Sequence, residues 1–266
     1  MLSRIQRKCS WLRLAASVLS LSASVNITVA DEPVVPPDSV LEKLYEGKVL
    51  TEGVSVAPDG MVYFSEITFS NKSRDSRGFI DAGFIWKFDP ASKTTSIFRS
   101  PSGMSNGIKF DATGNMIVAE GADYGGRRVT RTDMKTGKAQ IIAALFDGRP
   151  LNSPNDITID EKGRIYFSDP RYLGHEAIEQ PVAGVYRIDP DGSLHRIITD
   201  AGKANGVCVS PDQKTLYVVS NDNGGTAVER LVTGEEQADK VSAPLRKGLM
   251  ALLAYDLAED GTAKFR

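Results

Sequence analysis

The sequence predicts an all-β chain built as a β-propeller of four-stranded antiparallel blades. Three observations predict it. A stretch of about fifteen residues recurs four times, beginning at Glu52, Asn106, Asn155 and Asn205, with starts 54, 49 and 50 residues apart. Each copy reads as a short alternating strand, a tight turn and a second strand rich in β-branched and aromatic residues, which is a hairpin pattern. Each copy is followed by a third and a fourth strand-like run, and no long amphipathic helix interrupts them. The missing helices argue against Rossmann and TIM-barrel folds. Four antiparallel strands repeated at this period match a propeller blade, whereas a sandwich would not repeat one polar residue at one phase.

Taken in chain order, the first thirty residues read as an address rather than as structure. They carry Arg4, Arg7, Lys8 and Arg13 with no acidic residue, then an apolar run from Trp11 to Leu21, then Thr28-Val29-Ala30 before Asp31. That is the pattern of a secretory signal peptide, so residues 1–30 are expected to be removed and residues 31–266 exported to a periplasm or the exterior. The alternative is an uncleaved anchor, although Arg13 shortens the apolar run below a stable span. Removal would take Cys9 and leave Cys208 alone, a residue expected to lie buried in a strand between Val207 and Val209.

The remaining 236 residues carry 28 basic and 34 acidic side chains, with no basic block. Neither a nucleic-acid groove nor a membrane surface patch is expected from that balance. With 41% hydrophobic and 25% charged residues over 266 positions, the chain can bury one large core. It is neither disordered nor a disulfide-stapled miniprotein.

Residues 40–47 read as an outer strand that precedes its blade. The first unit then runs through the hairpin from Glu52 to Glu66, with its turn at Pro58-Asp59-Gly60, and adds strands over 84–89 and 96–98. The second runs from Asn106 to Glu120 and adds 128–133 and 140–142 around the turn Lys135-Thr136-Gly137. The third runs from Asn155 to Asp169 and adds 185–189 and 196–198 around Pro190-Asp191-Gly192. The fourth runs from Asn205 to Ser220 and adds 252–256 and 262–266. One outer strand is then left over. The chain is either a compact four-bladed ring or, as expected here, a piece of a larger propeller that continues past Arg266.

Glu52, Asn106, Asn155 and Asn205 share one phase at the entrance of the first strand of each unit. In a propeller that strand lines the central channel, so the fold would gather side chains about fifty residues apart around one axis. Carboxylate and amide oxygens converging there suit a hard divalent cation, Ca²⁺ more than Zn²⁺. The plain alternative is that Asn and Gly there only serve the preceding turn; Glu52, a poor turn residue, speaks against it.

At these residues the chain resembles the SMP-30/gluconolactonase/LRE-like family, from about residue 41 to the C-terminus. The most specific stretch is Leu151-Asn-Ser-Pro-Asn-Asp-Ile-Thr-Ile-Asp160 with Gly163-Arg-Ile-Tyr-Phe-Ser-Asp-Pro-Arg-Tyr172, and Thr51-Glu-Gly53 and Ala204-Asn-Gly206 match two further markers. The resemblance implies a six-bladed propeller, of which about four blades are present. It also implies a divalent metal held by Glu52, Asn155 and Asn205: Ca²⁺, with Zn²⁺ or Mn²⁺ as alternatives. A remaining Asp ligand is expected beyond Arg266.

The implied activity is metal-dependent hydrolysis of a sugar lactone; the competing reading is a non-catalytic calcium- or carbohydrate-binding propeller. The general base is left open, with Asp156 as the nearest candidate, although support of a neighbouring ligand is the commoner role for such a residue. Asn106, Asp156, Asp169 and Arg171 are expected to bind substrate, with Tyr172 beside them and Asp123 and Arg127 at the same phase one blade earlier. A loop hydrogen bond or salt bridge is the alternative for each. His175 sits in a loop that can approach the channel. His195 lies on an outer strand where a solvated side chain is expected.

Overall fold

The computed structural model describes residues 35–69, 73–172, 174–222 and 248–266. The segment expected to be the signal peptide lies outside the described residues. The chain divides into Met1–Glu42 and Lys43–Arg266. Of the first unit, residues 35–42 are described, and they hold a turn in which the Ser39 N–H donates to the Pro36 carbonyl at 3.0 Å. The second unit carries the fold.

Four antiparallel sheets follow one another in chain order, each a four-strand meander. The first contains β1 (Leu50–Val56), β2 (Val62–Ile67), β3 (Phe84–Asp89) and β4 (Thr94–Arg99). The second contains β5 (Ser105–Phe110), β6 (Met116–Glu120), β7 (Arg128–Thr132) and β8 (Ala139–Ala143). A short hairpin of β9 (Leu145–Phe146) and β10 (Arg149–Pro150) precedes the third sheet, which contains β11 (Ile157–Ile159), β12 (Ile165–Ser168), β13 (Val185–Ile188) and β14 (Leu194–Ile198). The fourth contains β15 (Ala204–Val209), β16 (Thr215–Asn221), β17 (Met250–Leu257) and β18 (Ala263–Phe265). These are the blades of a β-propeller, and the described residues form no helix. The first strands of successive blades lie side by side: β1 against β5, β5 against β11, and β11 against β15.

Successive residues of a strand point to opposite faces, and that alternation builds the core between blades. On β6, Met116 and Val118 pack toward the first blade with Tyr63 and Ile85. Ile117 and Ala119, between and beyond them, pack toward the third with Phe167 and Tyr186. On β12, Ile165 and Phe167 face the second blade, while Tyr166 joins Val207, Val218 and Leu253 of the fourth.

The same period corrects the expectation for Cys208. Val207 faces the third blade, so Cys208 points the other way and is exposed. It shares that face with its cross-strand partner Tyr217 and with the pair Val219 and Leu252, all of which are exposed. Residues 40–47, expected as an outer strand, are also not a strand. Within that stretch Tyr45 packs its ring 5.0 Å from Phe64 and 5.2 Å from Trp86. The Glu66 carboxylate accepts the Tyr45 hydroxyl and the Lys48 and Val49 N–H groups. A buried carboxylate, rather than a sheet ladder, fixes the entry to β1.

Candidate metal and lactone site

The residue pair at the head of each first strand sets the site. In three blades it is X-Gly: Glu52-Gly53, Asn106-Gly107 and Asn205-Gly206. The ladder to the second strand is interrupted there, between Glu52 and Ser55, between Ser105 and Ile108, and between Ala204 and Val207. Such bulges re-aim side chains at the rims of β structures. Glycine is required for closeness as well: Gly53 has φ of 61°, and a Cβ there would overlap the Asn106 carbonyl oxygen. The third blade carries Asn155-Asp156 instead. Asp156 Oδ2 accepts the Val207 N–H at 2.9 Å and so ties the third blade to the fourth.

The backbone carbonyl of each asparagine is held by the blade before it. Ser65 Oγ donates to the Asn106 carbonyl at 2.8 Å, the Gly107 N–H donates to the Asn155 carbonyl at 2.7 Å, and Ser168 Oγ donates to the Asn205 carbonyl. With the asparagine carbonyls held by two serine hydroxyls and one backbone N–H, the four head side chains gather in one cleft of about 240 Å³. Glu52, Asn106, Asn155 and Asn205 line it together with Tyr172 and Asn221, while Leu50, Ile67, Phe69 and Met104 form its apolar wall.

The electrostatics of the cleft are those of a concentrated acceptor site. Burial first, then the charge of Asp156, push the Glu52 carboxyl above its ordinary value, while a side-chain hydrogen bond from Asn106 opposes them. Burial also raises Asp156, against hydrogen bonds from Val207 and Ile157. Asn155 Oδ1 is buried and has no hydrogen-bond partner, a condition that costs about 1–3 kcal/mol for a polar group left unsatisfied. Among the described residues no three His, Cys, Asp or Glu side chains stand together. A cation in this cleft would therefore rely on amide oxygens beside Glu52, and oxygen donors of that kind are what Ca²⁺ takes.

Of the residues expected to touch substrate, Asn106 and Tyr172 line the cleft and Asp156 lies beside Glu52 without lining it. Asp169 and Arg171 are buried and do not line it. Asp169 is fully buried and accepts the Asn152 and Ser153 N–H groups at 2.8 and 2.6 Å. Arg171 donates to the carbonyls of Asn152 and Glu176. Both hold the loop that delivers Asn155 to its strand. Asp123 and Arg127 are likewise built into structure: Glu176 accepts the Asp123 N–H, and Arg127 Nε donates to the Leu151 carbonyl at 2.8 Å. His175 packs against Tyr124 at a tilt, with ring centroids 4.1 Å apart. His195 is solvated on its outer strand, 3.2 Å from Asp189.

The residues that sequence reasoning missed are Glu66 and Glu120, buried acids at the same phase as Asp169 at the ends of second strands. Glu120 takes Arg128 Nε at 2.7 Å and the Thr130 hydroxyl at 3.0 Å. An acid at that phase in three of the four units was the available signal.

Comparison with known proteins fits this geometry. Residues 50–233 match the profile of the SMP-30/gluconolactonase/LRE-like region. The chain belongs to this family. Among its curated relatives, the gluconolactonase of Zymomonas mobilis is 36% identical over 130 residues, which are 47% of this chain and 35% of that one. The lactonase drp35 of Staphylococcus epidermidis is 31% identical over 138 residues, 51% of this chain and 41% of that one. The matches thus span well under half the length of these relatives. A solved gluconolactonase from Xanthomonas campestris shares the fold, with a TM-score of 0.62 at 24% identity over 83% of this chain and 62% of that one.

Proposed function

We propose that the chain is a lactonase that opens a sugar lactone by hydrolysis in the cleft between its first strands, with a divalent cation, Ca²⁺, held by Glu52, Asn155 and Asn205. The observation that carries the reading is the Asn155 Oδ1 atom, buried without a partner in the same cleft as Glu52 and Asn205. An acceptor in that state is stabilised when a cation or a hydrogen-bond donor is brought to it, and beside the Glu52 carboxylate a cation answers both groups at once. The names of the gluconolactonase and lactonase relatives support the reaction class.

A bound divalent ion supplies a Lewis acid that polarises a lactone carbonyl and stabilises oxyanion charge. The chain's own residues do the rest of the binding. Asn106 lies beside Glu52 and favours its ionised form, and Leu50, Ile67, Phe69 and Met104 give the cleft an apolar wall. The negative charge of Asp156 acts on Glu52, a position that favours a cation between the first strands.

Gluconolactone hydrolysis followed by proton release tests the proposal. Activity should be abolished by EDTA and restored by Ca²⁺, and Asn155→Ala should weaken Ca²⁺ about tenfold or more. Ca²⁺ binding with no lactone opening would leave a binding propeller and overturn the hydrolytic reading.

A further inference from the structure

Ser168 ends β12, fully buried and outside the lining of the cleft. Two residues oppose it instead of one. Its carbonyl accepts the Asn155 N–H at 2.9 Å, and its N–H donates to the Asp156 carbonyl at 3.1 Å. Its hydroxyl oxygen accepts the Asp156 N–H at 3.1 Å. Two residues against one is the arrangement of a bulge, and here a side chain supplies the second acceptor. A serine hydroxyl also has one proton to give, and this one goes to the Asn205 carbonyl of the next blade.

Asn205 needs a hold from outside its own sheet. The rungs of the fourth blade join Ala204 to Ser220 and Val207 to Val218, and they skip Asn205 and Gly206 between them. Two bonds from the third blade span the gap: the Ser168 hydroxyl to the Asn205 carbonyl, and the Asp156 carboxylate to the Val207 N–H at 2.9 Å. The residue at the phase of Ser168 differs in the first two blades. Ala119 in the second has no hydroxyl, and the Asn155 carbonyl is met by the Gly107 N–H instead. Ser65 in the first has one, but holds Asn106 with it. Of these three residues, Ser168 is the one that bonds to both asparagines of the proposed ligand set, Asn155 through its carbonyl and Asn205 through its hydroxyl.

We propose that Ser168 is a positioning residue that joins the heads of the third and fourth blades and so keeps Asn155 and Asn205 within reach of one ion. Oxygens that share a Ca²⁺ at about 2.3–2.6 Å lie no more than about 5 Å apart, so a shift of one head against the other loses a ligand. The inference rests on the metal reading of the cleft and adds to it a residue that does not line the cleft. Partners of this kind change metal affinity by about 10–100-fold when removed.

Calorimetric titration of CaCl₂ into the full chain tests it through binding alone. Ser168→Ala keeps the backbone bonds to Asn155 and Asp156 and deletes only the hydroxyl; it should weaken Ca²⁺ about 10-fold or more. Ser168→Thr retains the hydroxyl and should bind within about threefold of the wild type. Tyr255→Phe removes a different hydroxyl of the fourth blade, which donates to Asp200 at 2.9 Å. It should lower resistance to urea as Ser168→Ala does, yet change Ca²⁺ affinity less than about twofold. Equal affinity of the wild type and Ser168→Ala overturns the role of Ser168. So does a Ser168→Thr chain as weak as Ser168→Ala, which would mark packing, or a Tyr255→Phe chain as weak, which would mark general loosening. A wild-type chain that binds no Ca²⁺ overturns the metal reading itself and this inference with it.

Discussion

At the scale of single residues, Asp169 shows how a site can depend on a group that never meets its ligand. Its carboxyl is pushed up to about 7 by burial, against the Asn152 and Ser153 N–H groups and the charges of Arg171 and Arg127 that favour ionisation. An unfolded aspartate titrates near about 3.9. Between those two values the folded chain retains a proton that the unfolded chain has lost. The contribution of Asp169 to stability is therefore fully present below about pH 4 and falls as pH rises to about 7. Asp169→Asn should flatten this part of the curve of unfolding free energy against pH, measured by urea titration. An unchanged slope between pH 4 and 7 would show that another group governs it. From the sequence, Asp169 ends a second strand, where a top-face loop can reach a substrate or can instead close a loop hydrogen bond. What the sequence lacked was depth: Glu66, Glu120 and Asp169 are all buried at this phase, and only the contacts Asp169 makes, such as those with the Asn152 and Ser153 N–H groups, show that it is turned onto structure.

Elements carry a different sensitivity, to how closely strands approach. Gly60 and Gly53 both have positive φ, 83° and 61°, but a Cβ at Gly60 meets nothing within 4 Å, whereas one at Gly53 meets the Asn106 backbone. Gly60→Ala should cost about 1–2 kcal/mol, the left-handed strain alone. Gly53→Ala should cost clearly more in thermal or chemical unfolding and should lower Ca²⁺ affinity, because β1 must move away from β5 and take Glu52 with it. Equal costs for the two would mean that the approach of β1 to β5 is not tight in solution. The strands themselves were legible from alternation and turn residues, as with Pro58-Asp59-Gly60 between β1 and β2. The β9–β10 hairpin was not noticed, although Asp147-Gly148 is a strong two-residue turn signal and both residues have positive φ. Residues 40–47 misled because Val40, Leu41 and Leu44 give the segment an apolar, strand-like composition although all three are exposed, and Tyr45 seats itself on Phe64 and Trp86 without strand pairing.

For the whole molecule, the repeat period was enough to gather Glu52, Asn106, Asn155 and Asn205 before any coordinates, since a propeller converts equal phase into equal position. The exposure of Cys208 was not legible, because alternation says that Val207 and Cys208 face opposite ways and not which face another blade covers. The signal peptide expected from residues 1–30 belongs to this scale too. Export with cleavage after Ala30 predicts a mature chain beginning at Asp31, and N-terminal sequencing that begins at Met1 would overturn it.

The bonds that hold the asparagine carbonyls all run in one direction along the chain. Ser65 precedes Asn106 by 41 residues, Gly107 precedes Asn155 by 48, and Ser168 precedes Asn205 by 37. A ribosome adds about 5–20 residues per second and N-terminal units fold first. Each donor has therefore been made roughly 2–10 s before its asparagine is added. Every asparagine thus reaches back to a donor made before it and none waits for one still to be made, so the order of the bonds is compatible with assembly of the cradle in the order of synthesis.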